Sequence, residues 1–191
     1  VPLAPQGALT LNEWMTNRIP GTSDWLELYN KDLRKPVSLH NIHVRNGAST
    51  ARYASLSFLP PGGHLRLWAN NQRGSEHLEL RLQSGAGSIQ LIDRNGLEIE
   101  RINHGNQNED VSNGRYPDGS SSIRAFSRSG SPGSPNYLPP DSGIRINELL
   151  ASHEDAPGWI ELRNTLPQPQ SVGGYSLTIG TRDGPRWQLP D

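Results

Sequence analysis

The chain has 191 residues, 32% of them hydrophobic, with 20 Gly, 16 Pro, no Cys and a net charge of −1. This excludes a disulfide-stapled scaffold and a thiolate metal site, an apolar membrane span of about 18 residues, and a dedicated basic nucleic-acid binder. The balance holds along the chain, with 14 basic and 12 acidic residues up to position 138, then 4 and 7. Arg outnumbers Lys 16 to 2, which we attribute to base composition before anion recognition.

The opening "VPLAPQGA" carries neither the charged start nor the apolar core of a signal peptide and reads as an N-terminal extension, residues 1–8. From Leu9 the chain reads as strand. In "DWLELYN", Trp25, Glu27 and Tyr29 point one way, Leu26 and Leu28 the other. "GHLRLW" at 63–68 places Leu65 and Leu67 together, and "HLELRL" at 77–82 places Leu78, Leu80 and Leu82 on one face, Glu79 and Arg81 on the other. "SIQLIDRNGLEIERI" at 88–102 is two strands around a turn whose Asn95-Gly96 pair tolerates positive φ. No stretch sustains helical periodicity. "SRSGSPGSPNYLPPDSG" at 127–143 is too rich in Ser, Gly and Pro for a ladder or a helix and reads as a linker.

The chain then begins again. Asn12 and Glu13 correspond to Asn147 and Glu148; Trp25, Glu27, Leu28 and Asn30 correspond to Trp159, Glu161, Leu162 and Asn164. "VSLHNIHV" at 37–44 is echoed by "QSVGGYSL" at 170–177, and "SFLP" at 57–60 by "WQLP" at 187–190. Ordered matches of this number indicate an internal repeat. The expected organisation is one unit over 9–137, a linker over 138–143, and the N-terminal part of a second, truncated copy over 144–191. Short strands at this spacing predict an all-β fold, an antiparallel β-sandwich. Half a sandwich cannot bury its own face, so strands of 144–191 are expected to pair with another edge, either the first unit or a second copy in a strand-paired dimer.

The marks "LNEWMTN", "DWLELYN", "SLHNIHV", "SFLPPGGHLRLWA", "LRLQSGAGSIQLIDRNG", "DVSNGRYPDG" and "SGSPGSPN", in this order across 9–137, resemble the lamin tail domain. The second unit is similar through "INELLAS", "GWIELRN", "SVGGYSL" and "WQLP". The resemblance implies an immunoglobulin-like sandwich and, lacking basic flanking linkers and a coiled-coil rod pattern, the bacterial type carried in tandem in large modular proteins. Ile42 stands where that family usually has an aromatic.

Few residues suggest chemistry. Glu13, Asp24, Glu27, Glu148 and Glu161 are repeated or nearly repeated carboxylates. Asp24 and Glu27 are calcium candidates, but recurrence points first to a role in the fold, accepting loop amides or pairing with Arg. Asn30 and Asn164 read as turn-formers. His40 and His43 are three apart on a strand and face opposite sides; with His64, His77, His104 and His153 they read as solvated. "DGSSS" and "SGAGS" read as loops, without a nucleophile signature or a helix N-terminus to hold phosphate. Trp14, Trp25, Trp68, Tyr53 and Tyr116 read as packing residues before a ligand platform.

No catalytic residue and no cofactor is expected. The expected function is a non-catalytic interaction or spacer module of a larger, exported bacterial protein. It would sit outside the cell or at its surface, with a cytoplasmic location as the alternative, and its partners would be a protein or neighbouring domains. The rival readings are a polysaccharide or nucleic-acid binder using Arg45, Arg52, Arg66 and exposed aromatics, and an accessory domain of an enzyme whose catalytic part lies elsewhere.

Overall fold

The alternation of apolar and polar residues is realised as strand almost throughout. The computed structural model describes residues 2–127, 130–139, 143–151, 157–178 and 186–190, and among them the one helical element is a short 3-10 turn, Gln6–Ala8. The chain divides into two compact units, Val1–Pro139 and Pro140–Asp191.

In the first unit the strands are β1 Leu9–Met15, β2 Asp24–Asn30, β3 Val37–Ser38, β4 Ile42–Asn46, β5 Ser49–Tyr53, β6 Phe58–Leu59, β7 His64–Ala69, β8 His77–Leu78, β9 Gly87–Ile92, β10 Glu98–His104, β11 Ser112–Arg115 and β12 Ile123–Phe126. One sheet has the order β12-β11-β1-β2-β7-β8, a second β10-β9-β4-β5, and β3 pairs with β6. Leu9, Leu11, Trp14, Leu26, Leu28 and Leu67 of the first sheet join Ile42, Val44, Ala51, Ile89 and Leu91 of the second in one buried core. Each buried Leu, Ile or Val among them contributes about 1.5–3 kcal/mol, so this interior dominates the stability of the unit. Ile42, small where an aromatic is usual, is fully buried in it.

Four features differ from the sequence reading. Residues 2–8 are not an extension: Ala4 is buried in the core and bridges Val37, and the Gln6 side chain donates to the Ser38 and His40 carbonyls. Leu78, Leu80 and Leu82 are all buried as the alternation implies, but the ladder stops at Leu78. Beyond it the backbone turns to loop partners, Leu80 O accepting from Asn71 N and Gln83 N donating to Asn46 Oδ1. The β7–β8 pair is parallel, the connecting loop folding back through positive φ at Asn71 and Gly74. In the β9–β10 turn only Gly96 has positive φ; Asp93 Oδ1 accepts from the Asn95 and Leu97 amides and fixes the turn.

The second unit contains β13 Ile144–Leu150 paired with β14 Trp159–Asn164, and β15 Ser176–Thr178 paired with β16 Arg186–Gln188. The β13–β14 hairpin reproduces β1–β2 pair for pair. Leu9↔Asn30, Leu11↔Leu28, Glu13↔Glu27 and Met15↔Trp25 have counterparts in Ile144↔Asn164, Ile146↔Leu162, Glu148↔Glu161 and Leu150↔Trp159. The register shifts at the same place in both, between Leu11 and Glu13 and between Ile146 and Glu148. Among the described residues no further strand joins the β13–β14 sheet.

Candidate functional site

The register shift in β1 leaves Asn12 without a cross-strand partner, a bulge that aims its side chain and loosens the local ladder. The backbone groups so released are recovered from distant residues. Leu11 N donates to Glu100 Oε2 (2.7 Å), and Leu11 O accepts from Arg115 Nε (2.9 Å). Glu100 and Arg115 form an ion pair, and Glu100 also accepts from Thr10 Oγ1. Because Glu100 lies on β10 and Arg115 on β11, this pair ties the two sheets together at the bulge.

On the other side of the bulge lies a buried polar cluster. Asn12 Nδ2 donates to Glu27 Oε1 (2.8 Å) and Asp118 Oδ1 (2.9 Å), while Asn12 Oδ1 accepts from Gly119 N (3.0 Å). Glu13 Oε1 accepts from the Ser112 hydroxyl and Oε2 from Ser131 N (3.2 Å). Glu27 Oε2 accepts from Gly133 N (2.6 Å). Asp118 Oδ1 also accepts from Asn136 N (3.0 Å), and Asn136 Nδ2 donates to Arg115 O (2.9 Å). Three carboxylates thus hold the "SPGSPN" segment through its backbone amides. That segment, rich in Ser, Gly and Pro but within the expected unit 9–137, is thereby fastened to β1, β2 and the β11–β12 loop. His64 Nε2 stands 3.2 Å from Asp118 Oδ2 but is not aligned for a hydrogen bond.

Glu13 and Glu27 are fully buried, and burial is the largest influence on both. It raises Glu13 to about 7 and Glu27 to about 8, against the lowering effect of their hydrogen bonds. The charge of Asp118 acts in the same direction on both, as does that of Glu13 on Glu27. A carboxyl near neutrality in a cleft is an acid–base candidate, but here each carboxylate oxygen of Glu13 and Glu27 already accepts from a group of the chain. The geometry spends both residues on holding backbone.

The calcium candidates do not converge. Asp24 and Glu27 lie on opposite faces of β2, Asp24 across from Ala69, with its own carboxyl raised by burial. Among the described residues no group of three or more His, Cys, Asp or Glu side chains is placed to hold a metal ion. The histidines are not solvated as a class: His104 is buried, and His40, His43, His64 and His77 are half-buried, with His64 against the Tyr29 ring. His153 lies outside the described residues.

The aromatics form no common platform. Trp14, Trp25 and Tyr53 are buried, Tyr53 donating to Ser75 O (2.6 Å). Trp68 lies under the Arg66 guanidinium at 4.2 Å, and Tyr116 is half-buried. Nor do the arginines converge, since Arg45 and Arg52 are on β4 and β5 and Arg66 on β7 of the other sheet. Arg52 lines a shallow cleft of about 460 Å3 with Tyr53, Ser75, His77 and the ion-paired Arg73 and Glu79.

Both asparagines that end their strands fold the following loop in the same way. Asn30 Oδ1 accepts from Asp32 N and Nδ2 donates to Lys35 O; Asn164 Oδ1 accepts from Leu166 N and Nδ2 donates to Gln168 O. The Asn12–Glu27 contact also recurs, as Asn147 Nδ2 to Glu161 Oε1. Glu100, Gln107, Arg115, Asp118 and Asn136 were missed as individual residues by the sequence reading. Gln107 Oε1 accepts from Thr16 N (2.6 Å) and Nε2 donates to Trp14 O, capping the end of β1.

Two sheets packed face to face around one core, with consecutive antiparallel hairpins, define an immunoglobulin-like β-sandwich. The chain belongs to the lamin tail domain family, whose model (Lamin Tail Domain) matches residues 2–106. No curated protein matches the chain. The matched span holds Asn12, Glu13, Glu27 and Glu100, while Ser112, Arg115, Asp118 and Asn136, which complete the cluster, follow it.

Proposed function

We propose that the chain is a non-catalytic interaction and spacer module of a larger modular protein, of bacterial origin and displayed outside the cell, in which lamin tail domains recur in tandem. The observation that carries the reading is the engagement of the buried carboxylates within the fold itself. The residues that repeat along the chain, Asn12, Glu13 and Glu27, hold one another, the Ser112 hydroxyl and loop amides of their own fold, and every carboxylate oxygen of Glu13 and Glu27 is engaged within the chain. Family membership supports an interaction role; fold alone does not assign a ligand. The recurrence of the β1–β2 geometry in β13–β14 supports the tandem arrangement.

The test is a thermal melt of the chain alone and with calcium, chelator, duplex DNA or soluble polysaccharides, since a ligand that binds only the folded state raises the midpoint. No shift with any additive is expected. A shift of several degrees with a polysaccharide would overturn the reading in favour of a ligand-binding module, with the Arg52–His77 cleft as its site.

A further inference from the structure

The dipeptide Asn-Gly occurs three times in the chain, at Asn46-Gly47, Asn95-Gly96 and Asn113-Gly114. A residue without Cβ leaves its amide nitrogen open to the side chain of the Asn before it, and Asn is thermolabile through that approach. The local chemistry is equal at the three positions; their surroundings are not. Asn46 is 3% exposed at the end of β4, and its side-chain amide is engaged at both ends, Nδ2 donating to Ser88 O (2.9 Å) and Oδ1 accepting from Gln83 N (2.8 Å). Asn113 and Gly114 lie on β11 between β1 and β12, with ladder partners on both sides. The extended backbone of such a strand cannot bring the Gly nitrogen round onto the Asn side chain without parting the sheet. Asn95, by contrast, is exposed in the β9–β10 turn, where Gly96 has φ of +85 and a Cβ on it would meet no atom within 4 Å. Its Nδ2 makes one long contact, to Asp93 Oδ2 (3.3 Å), and Gly96 N is held by a single bond to Asp93 O (3.1 Å). An exposed turn opens at far less cost than a paired central strand.

We propose that Asn95 is a site of spontaneous covalent modification, deamidation through a succinimide, and that the fold shields Asn46 and Asn113 from the same reaction. Gly96 N, its proton given up to hydroxide, attacks Asn95 Cγ. The N–Cγ bond forms, the Cγ–Nδ2 bond breaks, and Nδ2 takes a proton from water and leaves as ammonia, which regenerates the hydroxide. Water then opens the ring at either carbonyl, leaving an aspartate or an isoaspartate at position 95. Either product sets a carboxylate where Nδ2 now meets Asp93 Oδ2, so repulsion replaces a hydrogen bond beside the residue that fixes the turn. The same turn holds the N-terminal segment, since Arg94 N donates to Gln6 Oε1 (2.9 Å). The reaction is a property of the hairpin tip and is independent of what the module binds.

The test is incubation of the full chain in warm neutral buffer, native and in urea, followed by tryptic peptide mapping with mass spectrometry against an unincubated control. Cleavage after Arg45, Arg52, Arg94, Arg101 and Arg115 puts the three pairs on separate peptides, 46–52, 95–101 and 102–115. In the native chain Asn95 is expected to deamidate more than about tenfold faster than Asn46 or Asn113. In urea the three rates are expected to converge, because only the fold separates them. Asn95→Gln, whose side chain would have to close a larger ring, is expected to leave the native chain free of the acidic species. Equal rates at the three positions in the native chain overturn the proposal. A preference for Asn95 that persists unchanged in urea also overturns it, in favour of local sequence as the cause.

Discussion

Glu13 and Glu27 stand directly across from each other on β1 and β2, and each gives one oxygen to the same loop, Glu13 to Ser131 N and Glu27 to Gly133 N. The loop that closes the sandwich is therefore fastened by two buried carboxyls, from adjacent strands, that ionise near neutrality. The first consequence is a dependence of stability on pH. In the unfolded chain both carboxyls titrate near 4.5, whereas in the fold they titrate at about 7 and about 8. The folded state holds more protons between these values, so their contribution is complete below 4.5 and is lost as pH rises through 7 and 8. Asp32 and Asp93, both half-buried, act in the opposite direction: backbone amides lower them, and their contribution is lost as pH falls below the unfolded value of 3.8. Calorimetry should place the highest Tm in the mildly acidic range, with a fall of several degrees by about pH 9.

The two carboxyls should respond differently to amide substitution. Glu13 accepts from a hydroxyl, and Ser112 can rotate to accept from an amide instead. Glu27 accepts from Asn12 Nδ2 and from Gly133 N, so one donor in Glu27→Gln must face another donor. Urea titrations should show Glu27→Gln destabilised by about 1–3 kcal/mol and Glu13→Gln by clearly less. Each variant should flatten its own part of the alkaline decline.

The Glu100–Arg115 pair holds the bulge through Leu11 N and Leu11 O. Removal of either partner strands the other and one backbone group of Leu11. Glu100→Ala or Arg115→Ala should each cost about 3 kcal/mol. A double-mutant cycle by chemical denaturation should give a double variant well short of the sum of the singles.

Gly114 is demanded by close approach. A Cβ there would lie 2.6 Å from Asn12 O and 2.9 Å from Glu13 Cγ, and the first contact is backbone that cannot swing aside. Gly114→Ala should cost about 1–3 kcal/mol, measured as a lowered urea midpoint. Gly96→Ala, with no atom within 4 Å but φ of +85, should be destabilised through backbone strain alone and leave the cluster intact.

Alternation in β2 and β14 and the "DRNG" turn were legible in the sequence because they are local: a period of two states which face a residue takes, and a turn depends on its own few residues. The importance of Asn12, Glu13 and Glu27 was legible because the chain repeats them. Their partners were not. Glu13 meets Ser112 and Ser131, Asn12 meets Asp118, and Leu11 meets Glu100 and Arg115 across most of the unit. No periodicity encodes which distant amide fills which carboxylate oxygen.

The same limit explains the misread segments. "VPLAPQGA" looked like an extension because no strand pattern begins before Leu9, yet Ala4 joins the core. "SPGSPN" has no strand or helix pattern either, and nothing local shows that buried carboxylates hold its amides. The amino-acid pattern decided the strands, their inward faces and the doubling of the hairpin, since each depends on neighbours along the chain. Tertiary structure decided which polar groups are buried and satisfied, because burial and hydrogen bonding belong to residues brought together only by the packing of the two sheets.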